Sequence, residues 1–294
     1  MPLATDSLLA DITRANDRLV AVGERGHVLI SDDDGGTWNQ IPVPTREMLT
    51  GVSFSDRLHG CAVGHRNTIL VTRDGGNTWS LKKPESTFEI IFLDVLLLNN
   101  ETGFAVEAYG EYWETGDGGT TWSQRWITEE ELHFNAIAAG GDGTLYIAGE
   151  SGMLLRSDDR GATWTILDSP YYGSYHGLRP LGANEVLIYG LRGNIYASPD
   201  RGETWKASPV EPEVLVSGCA VIDDERPLLI GQSGMFFLRS ADGGGFVSHR
   251  EVEFDKGVQA VLAADGALIA VGNTGVHRIE RATLASWFRN AFPD

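Results

Sequence analysis

Short apolar runs bounded by turn residues repeat along the chain, as in Arg18-Leu-Val-Ala-Val-Gly23 with His27-Val-Leu-Ile30, or Leu145-Tyr-Ile-Ala-Gly149 with Met153-Leu-Leu-Arg156. Runs of this kind, paired across a glycine turn, read as β-hairpins. A further run precedes each pair, as in Thr50-Gly-Val-Ser-Phe54 and Asn135-Ala-Ile-Ala138, and a fourth follows it, beginning at a tryptophan. Four antiparallel strands per repeat make a propeller blade.

Two motifs set the period and the count. The first is Ser/Thr-x-Asp-x-Gly-x-Thr-Trp, intact at Ser31 to Trp38, Thr72 to Trp79, Thr115 to Trp122, Ser157 to Trp164 and Ser198 to Trp205, with steps of 41, 43, 42 and 41 residues between tryptophans. A sixth copy keeps Ser240, Asp242 and Gly244 but has Phe246 and Val247 in place of Thr-Trp. The second is a turn of the form Gly-x-x-Gly, found at Gly23 to Gly26, Gly64 to Asn67, Glu107 to Gly110, Gly149 to Gly152, Gly190 to Gly193, Gly231 to Gly234 and Gly272 to Gly275, with Asn67 and Glu107 the only departures. Seven turns predict an all-β, seven-bladed β-propeller occupying residues 1–294 as a single domain, although 294 residues would by length alone suggest about two. The first motif is placed in the hairpin between the third and fourth strands. There its aspartates (Asp33, Asp74, Asp117, Asp159 and Asp200) accept backbone amides, its glycine takes a positive φ, and its tryptophans (Trp38, Trp79, Trp122, Trp164 and Trp205) fill the space between blades.

The seventh repeat, Gly257 to Ile279, shows three strands and no such motif. Its closing element is open between two readings. One is a fourth strand from residues 286–289 or from residues near Leu3. The other is a short helix within residues 283–294, because Leu284, Trp287, Phe288 and Ala291 recur at spacings of three and four.

Charge narrows the partners. Asp and Glu outnumber Lys and Arg 41 to 23, a formal net charge of −18, and such a surface repels phosphate backbones and anionic headgroups. A nucleic-acid partner and direct membrane insertion are therefore not expected, and no apolar stretch approaches the roughly 20 residues of a spanning helix. Cys61 and Cys219 stand at different phases of the repeat, which argues against a disulfide between them. The run Asp32-Asp33-Asp34 lacks the acid that a calcium loop carries at its twelfth position, where Val43 stands, so neither a metal nor a cofactor is expected. Zinc-protease, phosphate-loop and serine-elbow motifs are absent.

These repeats resemble the BNR, or Asp-box, proteins, and specifically the propeller family typified by the photosystem II assembly and stability factor, over roughly residues 8 to 280. The running pattern Val-Gly-x-x-Gly-x-apolar-apolar-x-Ser/Thr-x-Asp-x-Gly-x-Thr-Trp carries the likeness. What the resemblance implies is a non-catalytic scaffold that binds a protein partner, an assembly or accessory factor for a membrane or envelope complex such as a transporter. The free protein is expected to be monomeric. The family usually carries an export signal, which Met-Pro-Leu-Ala-Thr-Asp does not begin. The implied location is periplasmic or otherwise exported if a leader has been removed, and cytoplasmic if this is the full native chain. Asp-boxes also occur in sialidases, so a sialidase-like glycoside hydrolase or a glycan-binding propeller is the alternative. Arg25, Arg66, Arg192 and Tyr109 would then imitate an arginine triad with a tyrosine, but no carboxylate at the required separation is marked.

Propeller loops between strands two and three share a face with the connections between blades, and functional residues gather on such loops. The third position of the Gly-x-x-Gly turn reads Arg25, Arg66, Tyr109, Ser151, Arg192, Ser233 and Thr274 around the ring. Arginine forks at this rim suit carboxylates of a partner. With them we place His65, beside Arg66, and the interblade tyrosines and histidine Tyr171, Tyr172, Tyr175 and His176, a residue mix favoured at protein interfaces.

Overall fold

In the computed structural model, residues 4–86, 88–222 and 225–289 are described. Blade 1 is β1 (Leu9–Ala15), β2 (Arg18–Gly23), β3 (Val28–Ser31) and β4 (Asn39–Ile41); blade 2 is β5 (Leu49–Phe54), β6 (Gly60–Gly64), β7 (Ile69–Thr72) and β8 (Ser80–Lys82). Blade 3 is β9 (Phe92–Leu97), β10 (Gly103–Glu107), β11 (Tyr112–Thr115) and β12 (Ser123–Arg125); blade 4 is β13 (Phe134–Ala139), β14 (Leu145–Gly149), β15 (Leu154–Ser157) and β16 (Thr165–Ile166). Blade 5 is β17 (Tyr175–Leu181), β18 (Glu185–Gly190), β19 (Ile195–Ser198) and β20 (Lys206–Ala207). Blade 6 is β21 (Val216–Ile222), β22 (Arg226–Gly231), β23 (Met235–Arg239) and β24 (Phe246–Arg250), and blade 7 is β25 (Val258–Ala264), β26 (Ala267–Gly272) and β27 (Gly275–Glu280). Each is an antiparallel meander in chain order. Six blades have four strands and the seventh has three, followed by α1 (Arg281–Trp287).

The second strands are buried on both faces, β2, β6, β10, β14 and β26 almost without interruption, so each blade can hide its apolar area only against its neighbours. Each buried cluster accordingly joins two consecutive blades. Leu9, Ile12, Leu19 and Leu29 pack with Ile269 and Val271, which closes blade 1 on blade 7.

The Asp-box is a self-contained hydrogen-bonded loop. In the first copy Asp33 accepts from the Thr37 N–H at 2.8 Å, the Thr37 hydroxyl at 2.7 Å and the Ser31 hydroxyl at 2.8 Å. Ser31 Oγ in turn accepts the Gly35 N–H at 2.8 Å, and Gly35 has φ +84°, a conformation that favours glycine. Asp74, Asp117, Asp159 and Asp200 repeat the arrangement. This loop aims the tryptophan into the seam with the preceding blade: Trp79 packs with blade 1, Trp122 with blade 2, Trp164 with blade 3, Trp205 with blade 4 and Trp38 with blade 7. Trp79 and Trp122 are buried and the other three half-buried.

The eroded sixth copy folds differently. Arg239 pairs with Phe246, whereas Ile30 pairs with Asn39, so this hairpin is two residues tighter and Phe246 and Val247 enter β24. In blade 7 the helical reading holds and the strand over residues 286–289 does not. Leu284 and Phe288 are buried together and Trp287 stacks on His249, centroids 4.7 Å apart. A strand would send Trp287 and Phe288 to opposite faces, one of them into water. Leu3 and Ala291 lie outside the described residues.

Trp79→Ala removes a buried indole, together with its N–H bond to Gly76 O at 3.0 Å. Urea denaturation is expected to show a loss of about 3–5 kcal/mol; a change within experimental error would contradict the seam role.

Candidate protein-docking face

The turn between strands two and three is built alike around the ring. In the first, His27 N–H donates to Glu24 O at 2.9 Å across Arg25 (φ 55°) and Gly26 (φ 70°), a type I′ turn in which both central residues are left-handed. Arg66, Tyr109, Ser151, Arg192 and Ser233 also have positive φ, whereas Thr274 does not. The residue before each such pair donates its N–H to the carbonyl preceding the same blade's first strand: Glu24 to Leu8, His65 to Met48, Ala108 to Ile91, Glu150 to His133, Leu191 to Ser174 and Gln232 to Leu215. In the seventh turn Asn273 donates to Gly257 O in the same way. These bonds tie turns and interblade connections into one face.

On it, Arg25, Arg66 and Arg192 are exposed, and His65 is half-buried. Arg66 Nε stands 3.7 Å from both Glu47 Oε2 and Glu89 Oε1, so this guanidinium is held between two carboxylates. Tyr109 is 62% exposed, its ring edge-on to His133 at 5.1 Å.

Residues 171–176 do not act as one patch. Tyr172 is 89% exposed, but Tyr175 is fully buried, with its hydroxyl 3.0 Å from Ser169 Oγ. Tyr175 opens β17 and packs with Tyr146, Leu154 and Leu178, so it is a core residue and is withdrawn from the docking set. Tyr171 is half-buried between Tyr175 and Tyr196. His176 lies on the first strand and faces the channel rather than the rim.

Trp126, Leu191 and Val252, on this same face, carry no signal in the sequence. Of nine exposed large hydrophobic residues among those described, six lie in these turns or in the connections between blades: Phe88 (79% exposed), Tyr109, Trp126, Tyr172, Leu191 and Val252. Six exposed apolar side chains on one side of a strongly acidic protein make that side the candidate binding surface.

The face surrounds a central channel with a cavity of about 500 Å³. Every first strand carries a β-bulge at its start, at Ala10, Thr50, Leu93, Asn135, His176, Ser217 and Gln259. The next residue is small in five blades and aspartate in two. Asp11 accepts the Ile12 N–H and, across the seam, the Val52 N–H, both at 2.8 Å; Asp94 accepts Val95 at 2.7 Å and Ile137 of blade 4 at 2.9 Å. Burial raises the Asp11 carboxyl to about 6. Burial and then the Asp11 charge raise Asp94 to about 7. Among the described residues, no group of three or more His, Cys, Asp or Glu side chains is arranged to hold a metal ion.

With this geometry in place, comparison of the sequence with protein families gives a match to the family described as "Photosynthesis system II assembly factor YCF48", over residues 30–88 and 82–259. The chain belongs to this family. Among curated relatives, the photosystem II assembly lipoprotein Ycf48 of Synechococcus sp. (strain CC9902) is 33% identical over 120 residues, 40% of this chain and 36% of that protein. The Ycf48 lipoprotein of Parasynechococcus marenigrum (strain WH8102) is 27% identical over 208 residues, 68% of this chain and 62% of that one. The chain thus spans from about a third to less than two thirds of these relatives' length. A solved structure titled "YCF48 bound to D1 peptide" superposes with a TM-score of 0.75 at 19% identity, covering 94% of both chains, which shows the shared fold.

The channel acids make folding pH-dependent. Asp11 and Asp94 have folded values above the ordinary 3.8, and Glu107 is raised to about 8 by burial and then by Glu111. The folded state therefore holds their protons more tightly than the unfolded chain. Their contribution is fully present below about pH 4 and is lost as pH rises through about 6 to 8. Box aspartates such as Asp33 and Asp159, lowered to about 2 by hydrogen bonds from threonine and serine, act only at the acid end. Urea stability is expected to fall by about 2–4 kcal/mol between pH 5 and pH 8, and Asp94→Asn should flatten that slope; an equal slope in the variant would contradict the assignment.

Proposed function

We propose that this protein is a non-catalytic scaffold whose loop face docks a segment of a protein partner, an integral membrane protein undergoing assembly. The observation that carries the reading is the concentration of Phe88, Tyr109, Trp126, Tyr172, Leu191 and Val252 on the side that also bears Arg25, Arg66 and Arg192. Aromatic and arginine anchors set among charged residues are the composition of interface hot spots. Family membership supports a role as an assembly factor, and the solved relative with a D1 peptide supports a peptide segment as the occupant. A complex other than a photosystem, such as an envelope transporter, fits the same chemistry, and the acidic net charge does not single out either.

The channel carboxylates fit a scaffold better than a hydrolase. Asp11 and Asp94 each bind two backbone N–H groups with their two oxygens, one of them on the next blade, so they hold first strands together rather than stand free for acid–base work.

Membrane extracts of the source organism, passed over the wild-type protein and over two double variants, test the reading. Phe88→Ser with Tyr172→Ser is expected to reduce capture of the partner at least tenfold, and Arg66→Glu with Arg192→Glu to weaken it, with unchanged melting temperatures because all four side chains are exposed. Undiminished capture by both folded variants would overturn the docking face.

A further inference from the structure

Arginines tie the blades of this ring together at five seams, each crossing to a carbonyl of the next blade's box. Arg18 donates to Gly75 O at 2.8 Å, Arg73 to Asp117 O at 3.1 Å, Arg125 to Ala162 O at 2.8 Å, Arg156 to Arg201 O at 2.9 Å, and Arg278 to Asp34 O at 3.2 Å. Arg179 makes no such bond. It lies on β17, is exposed, and has no hydrogen bond or ion pair among the described residues. It is also the one lysine or arginine among the residues lining the channel cavity. The other first strands carry Thr13, Ser53, Leu96, Ala138, Ala220 and Leu262 at the same register position.

Blade 5 departs from the repeat at a second point. Opposite the residue that follows each bulge, the second strands carry Val22, Val63, Val106, Ala148, Ile230 and Val271, but blade 5 carries Tyr189. Its register partner is Gly177, where a Cβ would stand 2.5 Å from the tyrosine hydroxyl oxygen, so glycine there lets the ring reach over β17 to the channel. Tyr189 is only 6% exposed, lines the cavity, and has no hydrogen-bond partner for its hydroxyl among the described residues. A hydroxyl buried in this way without a partner is costly and calls for an explanation. Burial raises its pKa well above the ordinary 10, so the group remains a donor, and the charge of Arg179 reaches it. Asp11 and Asp94, whose oxygens are taken up by backbone N–H groups, do not pair with either residue.

We propose that the channel wall of blade 5 is a binding site for a carboxylate, with the Arg179 guanidinium and the Tyr189 hydroxyl as its donors. A guanidinium fork matches the two oxygens of a carboxylate, and the hydroxyl adds a further hydrogen bond. A dianionic phosphate is disfavoured, because Asp11 and Asp94 line the same cavity and the chain carries a net charge of −18. His176, three residues before Arg179 and roughly 10 Å nearer the loop face, stands at the mouth. The cavity, about 500 Å³, is of the size that small-molecule sites have. Two sources supply this chemistry, a free small molecule and an acidic side chain of a segment docked on the loop face, and the same two donors serve both.

The test titrates the full chain with butyrate while the backbone amide resonances of Gly177, Arg179 and Tyr189 are followed by NMR. Saturable shifts are expected, with butyramide, the neutral isostere, producing none at the same concentration and inorganic phosphate binding more weakly. Arg179→Gln is expected to weaken butyrate binding about tenfold or more, and Tyr189→Phe, which keeps the ring, about threefold or more. Phe88→Ser with Tyr172→Ser should bind butyrate as the wild type does, so failure of the docking face and failure of this site are separable. Capture of the membrane partner by Arg179→Gln distinguishes the two sources: undiminished capture assigns the carboxylate to a free small molecule, and reduced capture assigns it to a side chain of the docked segment. Absence of saturable shifts, an equal response to butyramide, or unchanged butyrate affinity in both folded variants would each overturn the inference.

Discussion

A sheet whose second strand is buried on both faces has no stable existence apart from its neighbours, and everything in this molecule follows from how seven such sheets cover one another. The contact that accomplishes it is the seam. A box aspartate fixes its own hairpin through threonine and serine, the hairpin aims an indole at the preceding blade, and in five seams an arginine ties the two together. Ring closure needs no shared strand. Blade 7 has three strands and α1, and the seam to blade 1 is held by the apolar cluster around Leu9 and Ile269, by Arg14 donating to Ala263 O and by Arg278 donating to Asp34 O.

Because the ring is rigidified through its seams, the two faces are free to differ. One carries the compact Asp-box hairpins, whose polar groups bond within themselves and present little to a partner. The other carries type I′ turns and longer connections that expose side chains without a packing duty. A scaffold that must present apolar anchors to another protein gains from this division, since residues such as Phe88 and Tyr172 can be changed without touching the core.

The parts legible in the sequence were those that recur at a fixed phase. The box motif placed Asp33 and Trp38 with their equivalents, and the glycine turns gave seven blades with Arg25, Arg66, Tyr109 and Arg192 on turns. What recurs by function rather than by phase could not be read that way. The crossing arginines sit in different places of the repeat: Arg18 opens a second strand, Arg73 lies inside a box, Arg125 ends a fourth strand and Arg156 lies in a third. The β-bulge has no marker residue, so the sequence pattern puts His176 at the rim, whereas it lies on a first strand facing the channel. Tyr175 is a core residue that the sequence pattern does not resolve, because a tyrosine in a connection and one opening the next strand differ by a single position of register. Trp126 stands between Arg125 and Ile127, Leu191 between Gly190 and Arg192 and Val252 between Glu251 and Glu253, with no common pattern, so only their exposure gathers them.

The central claim is that a protein partner sits on the loop face. Site-specific photocrosslinking tests it most directly, with a benzophenone amino acid placed at Tyr109 or Tyr172 on that face and, as a control, at Thr37 or Thr78 on the box face, in the presence of the organism's membranes. The account requires a single membrane-protein adduct from the first two positions and none from the second two. Adducts formed from the box face alone, or equally from both faces, would contradict it.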